Sequence, residues 1–366
     1  MTKTHALCKP SASEMEVFRK RILGWYDAHA RALPWRALPG ERAEPYHVWL
    51  SEIMLQQTTV QAVKPYHETF LRRWPNVRAL AEAPREEVMS AWAGLGYYAR
   101  ARNLHKCAQI VASELNGVFP DTQEELKKLP GIGDYTSAAI TAIAFNKPAT
   151  VVDGNIERIA ARYFAMEDPL PASKPKLKAW AGYFFDGEEN RPGDLAQALM
   201  DLGAGICIPK APRCALCPVQ EACAGRISGI AGALPRREKK KPRPQKYGEV
   251  YWIENGRGDV LFHRRPEKGL LGGMTALPTS AWEQAGKGTD ISETPDFVVE
   301  AMDWDSQAPL SISHVFTHFD LELRLKSARL TEGKNLPPGY FWDQPSNCGD
   351  SLPSVFGKAF ALFSKS

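Results

Sequence analysis

Apolar residues along the first two thirds of the chain recur at helical spacing. Between Glu14 and about Ile227, segments such as EELKKL and SAAITAIAF, which flank a Pro-Gly break, carry apolar side chains three or four positions apart. This spacing places them on one face of a helix. The pattern therefore predicts a helical domain over residues 14–228, preceded by a polar, disordered segment at residues 1–13.

In the last third of the chain, apolar and polar residues alternate as they do in β-strands. The segments EVYWI and VLFHR flank the turn residues NGRGD at positions 255–259, which is the pattern of a β-hairpin. In FDLELRL, Leu321, Leu323 and Leu325 fall on one face of a strand. We therefore predict a mixed second domain over residues 247–366, and a multi-domain fold of class α plus α+β.

A basic segment separates the two patterns. From Arg236 to Lys246 the sequence RREKKKPRPQK has seven basic residues, one acidic residue and two prolines. Such a segment is typical of an exposed linker, which we predict over residues 229–246 and regard as a possible contact for protein partners.

Composition restricts the class of protein without deciding its function. The 366 residues are 44% apolar and 24% charged, which is ordinary for a soluble globular chain, and the net charge of +4 permits a polyanionic partner. No apolar run reaches the ~18 residues that a membrane-spanning helix needs, and the polar N-terminus lacks the apolar core of a secretory signal. We expect a cytoplasmic monomer without membrane contact.

Four of the seven cysteines lie close together in the sequence, and their spacing is C-x6-C-x2-C-x5-C: Cys207, Cys214, Cys217 and Cys223. Clustered cysteines in a chain without an export signal indicate a metal site more readily than disulfides. Four thiolates suit both tetrahedral zinc and a 4Fe-4S cluster, so the spacing alone leaves the metal open.

The segment LKKLPGIGDYTSAAI predicts two helices joined by a tight turn that contains Gly131 and Gly133. Backbone N–H groups at the start of the second helix suit a phosphate oxygen. An ordinary helical turn has the same appearance, so the segment alone indicates a DNA contact only weakly.

Two carboxylates are candidates for chemistry. Asp153 precedes the helical pattern GNIERIAARY, where an aspartate is ordinarily just an N-cap. Glu52 lies in HVWLSEIMLQQTTV, among apolar residues that would desolvate it and raise its pKa, as an acid that holds its proton near neutral pH requires. A glutamate on a helix is more often a solvated surface group, so the local sequence leaves both interpretations open.

These segments together resemble the MutY family of helix-hairpin-helix DNA glycosylases, within the endonuclease III superfamily. The resemblance extends from about Val17 to Phe360, and the segments that carry it are SEIMLQQT, LKKLPGIGDYTSAAI, VVDGNIERI and CIPKAPRCALCPVQEAC. It implies an all-helical glycosylase domain, with a six-helix barrel part at about residues 38–150 and an iron-sulfur part at residues 14–37 plus 151–228. It also implies a 4Fe-4S cluster on the four cysteines.

The implied activity is monofunctional excision of adenine mispaired with 8-oxoguanine, and of adenine mispaired with guanine, from double-stranded DNA during base excision repair. By resemblance, Glu52 protonates the adenine, Asp153 stabilises or covalently traps the charged sugar, and Asn155 supports this site. Tyr135 occupies the position at which bifunctional relatives carry a lysine that cuts the strand. Both a covalent path and direct attack by water remain open.

The resemblance assigns further residues to substrate recognition. The adenine pocket would include Trp35, Arg36 and Asp201. The residues that contact or intercalate into DNA would include Gln57, Thr58, Tyr97, Gly131 and Gly133.

The second domain resembles a Nudix-like recognition domain. The segment directly after Gly272 has one glutamate, Glu283, so the glutamate-rich helix that binds magnesium in a Nudix hydrolase is missing. The loop implied to recognise 8-oxoguanine is Phe316, Thr317 and His318, with Thr317 in place of the usual serine.

Two alternatives stand beside this interpretation. One is a glycosylase of the same superfamily with another base specificity, such as thymine in a mismatch. The other is a non-enzymatic DNA-binding protein held together by a metal. The second domain and the segment LPWR favour the adenine enzyme over the first alternative, and the two carboxylates in their superfamily context favour it over the second.

Overall fold

The computed structural model describes residues 9–37, 41–238, 242–266, 269–284, 310–330, 336–349 and 352–364. The chain divides into two compact units, Met1–Lys239 and Lys240–Ser366. Within the described residues, no helix is long and apolar enough to cross a membrane.

The first unit consists of helices. They are α1 (Ala12–His29), α2 (Pro45–Met54), α3 (Val60–Arg73), α4 (Val77–Glu82), α5 (Arg85–Trp92), α6 (Ala99–Glu114), α7 (Gln123–Leu126), α8 (Asp134–Phe145), α9 (Gly154–Tyr163), α10 (Lys174–Gly182), α11 (Pro192–Gly205) and α12 (Ala224–Ile227). Single 3-10 turns cover Cys214–Leu216, Gln220–Ala222 and Ala231–Ala233.

Two apolar cores fill this unit, and α8 contributes to both. Ala138, Ala139 and Ala142 pack with α1, α9 and α11. On another face of the same helix, Ile140 packs with apolar residues of α2, α3, α5 and α6. The N-terminus of α8 therefore lies where the two cores meet.

The start of α1 differs from the sequence prediction. The helix begins at Ala12, because the Ser11 side chain accepts a hydrogen bond from the backbone N–H of Glu14 and the Glu14 carboxylate accepts one from the Ser11 N–H. The predicted disorder of residues 1–13 is therefore wrong for its last residues. Residues 1–8 lie outside the described part of the chain.

Much of the predicted linker packs on the first unit. Leu234 is 2% exposed and belongs to the core around α9 and α11. The backbone N–H of Leu170 donates to the Arg236 carbonyl at 2.9 Å, and the Glu238 N–H donates back to the Leu170 carbonyl at 2.9 Å. The linker prediction is therefore wrong for residues 231–238, because Leu234 supplies apolar area to bury. Residues 239–241 are not described.

In the part of the second unit that the structure describes, the strands form a seven-stranded mixed sheet. Its strands are β1 (Gln245–Glu254), β2 (Val260–Arg264), β3 (Thr275–Ala276), β4 (Glu283–Gln284), β5 (Ser311–Val315), β6 (Asp320–Arg329) and β7 (Tyr340–Asp343). Two helices follow them, α13 (Pro345–Cys348) and α14 (Ser354–Phe363).

The main path of the sheet runs β3-β2-β1-β6-β5, with β4 paired to β1 and β7 to β2. Strands β1 and β6 are parallel, whereas β1 pairs with β2 antiparallel through Glu254 and Val260, as the predicted hairpin requires. The three leucines of β6 are buried in one core with Val355 and Phe356 of α14, which confirms the predicted apolar face. An all-helical domain followed by a mixed α/β domain is the fold class that the sequence predicts.

Candidate active site

Glu52, Tyr135 and Asp153 come together from three helices. Glu52 lies on the last turn of α2, Tyr135 on the first turn of α8, and Asp153 is the N-cap of α9. The Tyr135 hydroxyl is hydrogen-bonded to the Glu52 carboxyl, and both side chains interact electrostatically with Asp153. Three residues that lie up to 101 positions apart in the sequence therefore form one polar cluster.

Glu52 is 6% exposed. Burial raises the pKa of Glu52 to about 7, and the Asp153 carboxylate adds to this rise, while the hydrogen bond from Tyr135 and the charge of Arg36 oppose it. The desolvation predicted from the sequence is confirmed. A carboxyl group in this environment holds a proton near neutral pH, as a general acid must.

Tyr135 is only partly exposed and packs against the core around α9. Burial raises the pKa of Tyr135 well above its usual value, and the carboxylates of Glu52 and Asp153 raise it further. Its phenol is therefore protonated at neutral pH. It serves as a hydrogen-bond partner and not as an anion.

Asp153 is both an N-cap and a member of this cluster. Its Oδ1 accepts hydrogen bonds from the backbone N–H of Asn155 at 2.9 Å and of Ile156 at 2.8 Å. Its Oδ2 accepts one from Asn155 Nδ2 at 2.7 Å. These three bonds fix the direction of the carboxylate at the positive end of α9.

Asn155 is held from its other side as well. Its Oδ1 accepts a hydrogen bond from Arg158 Nη2 at 2.8 Å, and the same nitrogen donates to the Gly203 carbonyl at 2.7 Å. A Cβ at Gly203 would lie 2.5 Å from Asn155 Cβ. Only glycine at position 203 therefore lets α11 approach Asn155 this closely.

Two arginines of α9 connect the cluster to residues 207–223, the cysteine loop. Arg158 Nε donates to the Cys207 carbonyl at 2.7 Å. Arg162, which is 2% exposed, donates to the carbonyls of Ile208 and Pro209 and to Cys207 Sγ at 3.3 Å. The cysteine loop and Asp153 are therefore tied to the same helix.

The four cysteines of this loop are partly buried free thiols, and their groups lie close enough to interact electrostatically with one another. No group of three or more His, Cys, Asp or Glu side chains among the described residues converges as one metal ion requires. Four thiolates in one loop have the number and chemistry of ligands that either a zinc ion or a 4Fe-4S cluster requires.

Arg36 and Asp201 form a buried ion pair. The Asp201 side chain is 1% exposed, and its two oxygens accept hydrogen bonds from Arg36 Nη1 and Nη2, both at 2.7 Å. Arg31 donates to the same carboxylate through its backbone N–H at 2.9 Å and its Nε at 2.6 Å. Burial alone would raise the pKa of Asp201, but the hydrogen bonds and charges of the two arginines outweigh it and lower the pKa.

The remaining residue assigned to the adenine pocket is Trp35, which is 8% exposed. It packs in the core around α2, with its ring edge-to-face against His67 at 5.4 Å. Trp35 thus anchors the segment that carries Arg36, whose charge reaches Glu52.

The residues assigned to intercalation lie in two loops. Gln57 and Tyr97 are exposed and have positive backbone φ angles of 58° and 50°, which non-glycine residues rarely adopt. Thr58 is half-buried, and its Oγ1 accepts a hydrogen bond from Arg100 at 3.0 Å. Gln57 and Tyr97 are called the probe residues below.

The turn before α8 has the form expected of a helix-hairpin-helix element. Gly131 has a φ of 81°, and a Cβ there would lie 3.1 Å from Asn103 Cβ. Gly133 is the N-cap of α8, and a Cβ there would meet nothing within 4 Å. The exposed backbone N–H groups at this helix start are available to a phosphate.

In the second unit, residues 316–319 form the turn between β5 and β6, closed by a hydrogen bond from Phe316 N to the Phe319 carbonyl at 2.9 Å. The Phe316 ring packs against Phe319 at 4.9 Å and against Trp282 at 5.7 Å. Thr317 and His318 are exposed at the tip. We call these four residues the reader turn.

Three arginines of the first unit were not predicted from the sequence: Arg31, Arg158 and Arg162. Each donates to a residue that the sequence did single out, namely Asp201, Asn155 and Cys207 respectively. Arg158 and Arg162 lie four residues apart on α9, a spacing that puts both on one face, and this was the only signal in the sequence.

Both units of the chain are similar to known protein families. Residues 50–180 match the HhH-GPD superfamily base excision DNA repair proteins, and residues 249–361 match the NUDIX domain. An adenine DNA glycosylase of Mus musculus is 31% identical over 408 residues, covering 96% of this chain and 78% of its own length. One of Buchnera aphidicola subsp. Schizaphis graminum (strain Sg) is 29% identical, covering 95% and 99%.

Among solved structures, a thermostable thymine-DNA glycosylase matches with a TM-score of 0.52 and 29% identity, covering 59% of this chain and 98% of that one. This match covers 59% of the chain, whereas the adenine DNA glycosylases of Mus musculus and Buchnera aphidicola named above match over 96% and 95% of it. The chain belongs to the MutY family of adenine DNA glycosylases, within the helix-hairpin-helix superfamily.

Proposed function

We propose that this chain is a monofunctional glycosylase that excises adenine mispaired with 8-oxoguanine, and with guanine, from double-stranded DNA. The observation that carries the proposal is the buried Glu52, with a pKa of about 7, hydrogen-bonded to Tyr135 beside Asp153. Adenine leaves a sugar slowly unless its ring is protonated, so the enzyme needs an acid that is still protonated near neutral pH.

In the proposed reaction Glu52 donates its proton to adenine N7, and the bond between N9 and C1′ breaks with its electron pair going to the base. The sugar then carries the positive charge of an oxocarbenium-like state. The Asp153 carboxylate, held by three hydrogen bonds, stabilises that charge. Water supplies the hydroxyl group at C1′, and its remaining proton restores Glu52.

Tyr135 supports the monofunctional assignment. Strand cleavage by bifunctional relatives needs an amine that forms a Schiff base with the sugar. The phenol at position 135 has no such chemistry, and its raised pKa keeps it neutral. Its proposed role is to orient the Glu52 carboxyl and its proton toward the base.

The target adenine must leave the duplex before it reaches these residues. We propose that the probe residues and Thr58 enter the DNA, and that the glycine turn at 131–133 binds the backbone. Arg36, fixed by Asp201, would border the extruded base beside Trp35. Asp201 would then act through Arg36, because hydrogen bonds from Arg31 and Arg36 occupy both of its oxygens.

We assign recognition of the opposite base to the reader turn. The support is its exposed tip, with the Thr317 hydroxyl and the His318 ring presented above a packed base of aromatic side chains. The hydroxyl can both donate and accept, as reading an oxidised purine edge requires.

We also propose that the cysteine loop holds a 4Fe-4S cluster through Cys207, Cys214, Cys217 and Cys223. When bound, the cluster supplies structural crosslinking and redox activity, and none of the excision steps above uses it. Arg162 would donate to the Cys207 sulfur. Brown colour with about four irons per chain supports the assignment, and a colourless protein with one zinc contradicts it.

The central experiment measures adenine release in single turnover from duplexes with adenine opposite 8-oxoguanine. Asp153→Asn keeps an oxygen that can cap α9 but removes the charge, so we expect excision to be lost while duplex affinity is kept. Asp168→Asn, at an exposed ion pair with Lys176, is the matched control. Equal loss of binding and excision in Asp153→Asn would contradict the catalytic role.

A second set of duplexes, with thymine opposite guanine, tests the alternative specificity. The structural likeness to a thymine-DNA glycosylase makes this comparison necessary. Release of thymine at a rate equal to or above that of adenine would refute the proposed specificity, while release of neither base would refute the activity altogether.

A further inference from the structure

Arg100 is a half-buried arginine on α6 whose two terminal nitrogens donate to oxygens at the end of α2 and in two loops. Its Nη1 donates to the carbonyls of Ile53 at 3.1 Å and Met54 at 2.9 Å, and also to that of Gln56. These carbonyls lie at and just beyond the C-terminus of α2, the helix that carries Glu52, where a positive charge is favourable.

The second terminal nitrogen of Arg100 reaches both loops. Its Nη2 donates to Thr58 Oγ1 at 3.0 Å in the first loop, and to the carbonyls of Leu95 at 3.3 Å and Gly96 at 3.4 Å in the second. The guanidinium also lies over the Tyr97 ring at 5.2 Å. One planar group thus joins two loops that start about 40 residues apart in the sequence.

The residues that these bonds surround are the two probe residues. Gln57 lies between the two residues of the first loop that Arg100 contacts, and Tyr97 directly follows Gly96 in the second. Both probe residues have positive φ angles without being glycine, so their loops are held in a conformation that the isolated chain disfavours. Such a conformation persists only where the surroundings impose it, and Arg100 contacts both loops.

We infer that Arg100 is a positioning residue that holds Gln57 and Tyr97 as one rigid unit, so that both enter the duplex together when the adenine is extruded. This inference rests on the proposed function. It assigns to Arg100 a role in extruding the base and none in breaking the glycosidic bond. Because both terminal nitrogens already donate to these oxygens and its Nε is buried, Arg100 does not act by contacting a phosphate.

The geometry requires a guanidinium in particular. Its Nη1 serves the carbonyls at and just beyond the end of α2, while its Nη2 serves Thr58 in the first loop and Gly96 in the second. A lysine ammonium is a single point with three donors and cannot reach both sets at once. Arg100→Lys should therefore keep the charge at the end of α2 and lose the connection between the loops.

The test compares Arg100→Lys and Arg100→Gln with Arg72→Gln, an exposed arginine of α3 that makes one 3.5 Å hydrogen bond to Thr69. Extrusion is followed by the fluorescence of 2-aminopurine placed at the target position, which is quenched while stacked. This measurement uses the Asp153→Asn background, so that no base is released. Excision is followed in single turnover across pH with Asp153 intact.

We expect both Arg100 variants to reduce the fluorescence rise at least threefold and the single-turnover rate at least tenfold, while the pH inflection assigned to Glu52 stays in place. Arg72→Gln should stay within twofold of the parent in both measurements. If Arg100→Gln unfolds, Arg100→Lys alone carries the comparison, since it retains the charge.

Three results would overturn the inference: an undiminished fluorescence rise in Arg100→Lys, a shifted pH inflection, or an equal loss in Arg72→Gln. A shifted inflection would mean that Arg100 acts on α2 and Glu52 instead of on the loops. These three results differ from a failure of the proposed function, in which the unmodified protein itself would release no adenine.

Discussion

Replacing Glu52 with glutamine tests whether the buried carboxyl is the proton donor. Its pKa is about 7, compared with an ordinary value of 4.5. The folded protein therefore destabilises the ionised form, relative to the protonated form, by about 3 kcal/mol more than water does. The folded chain therefore binds this proton more tightly than the unfolded chain. The resulting stability is fully present below pH ~4.5 and is lost as the pH rises through ~7.

The raised pKa of Glu52 determines how both the stability and the excision rate should change with pH. The free energy of unfolding of Glu52→Gln, relative to the parent, should rise by about 2.5 kcal/mol between pH 5 and pH 8, since glutamine cannot ionise. The parent's single-turnover rate should fall about fivefold from pH 7 to pH 8, as the protonated fraction drops from about a half to about a tenth. Glu52→Gln should release no adenine at any pH.

Denaturant unfolding and single-turnover excision, both measured from pH 5 to pH 8, give these values. Glu68→Gln, on the exposed side of α3, makes the same chemical change at the surface and should leave both profiles unchanged. A stability difference that is flat across pH would show that Glu52 is not desolvated. Excision by Glu52→Gln with the parent's pH profile would show that the proton comes from another group.

Three further predictions follow from the packing. Gly203→Ala should reduce excision more than tenfold, because the added methyl group would displace Asn155, which holds Asp153. Gly205→Ala is the control on the same helix, because a Cβ there meets nothing within 4 Å, and it should leave excision unchanged. Asp201→Asn should lower the free energy of unfolding by about 3 kcal/mol at neutral pH, measured by urea unfolding, because it leaves the buried Arg36 unpaired. Phe316→Ala removes the aromatic ring that supports the reader turn. The rate of adenine excision opposite 8-oxoguanine should therefore fall relative to the rate opposite guanine, and the rate opposite guanine should stay within threefold of the parent's. An unchanged ratio would count against that turn as the recognition element.

The features that could be predicted from the sequence are those whose signal is local. The alternation of leucines in β6 predicted its buried face, and the apolar neighbours of Glu52 predicted its raised pKa. In each case the residues that cause the property are within a few positions of the residue that shows it. Periodicity and neighbouring side chains are therefore enough.

The features that could not be predicted depend on partners far along the chain. Arg158 looks like a solvated position on a helix, and its use becomes visible only when Gly203 and Cys207 of α11 and its following loop lie against α9. The predicted linker failed for a related reason. Its basic composition indicated exposure, but Leu234 among those residues had a core to join.

Asp153 shows why a structural and a catalytic interpretation of one residue need not compete. A carboxylate has about four acceptor positions, and the N-cap bonds with Asn155 and Ile156 use both positions of Oδ1. On Oδ2, the hydrogen bonds within the described residues account for one position, which accepts from Asn155 Nδ2. The N-cap hydrogen bonds therefore hold Oδ1 in place, and Oδ2 keeps an acceptor position that can face a developing positive charge. Under the proposed function the N-cap role of Asp153 serves its catalytic role, since the hydrogen bonds that start α9 also hold the carboxylate in one orientation.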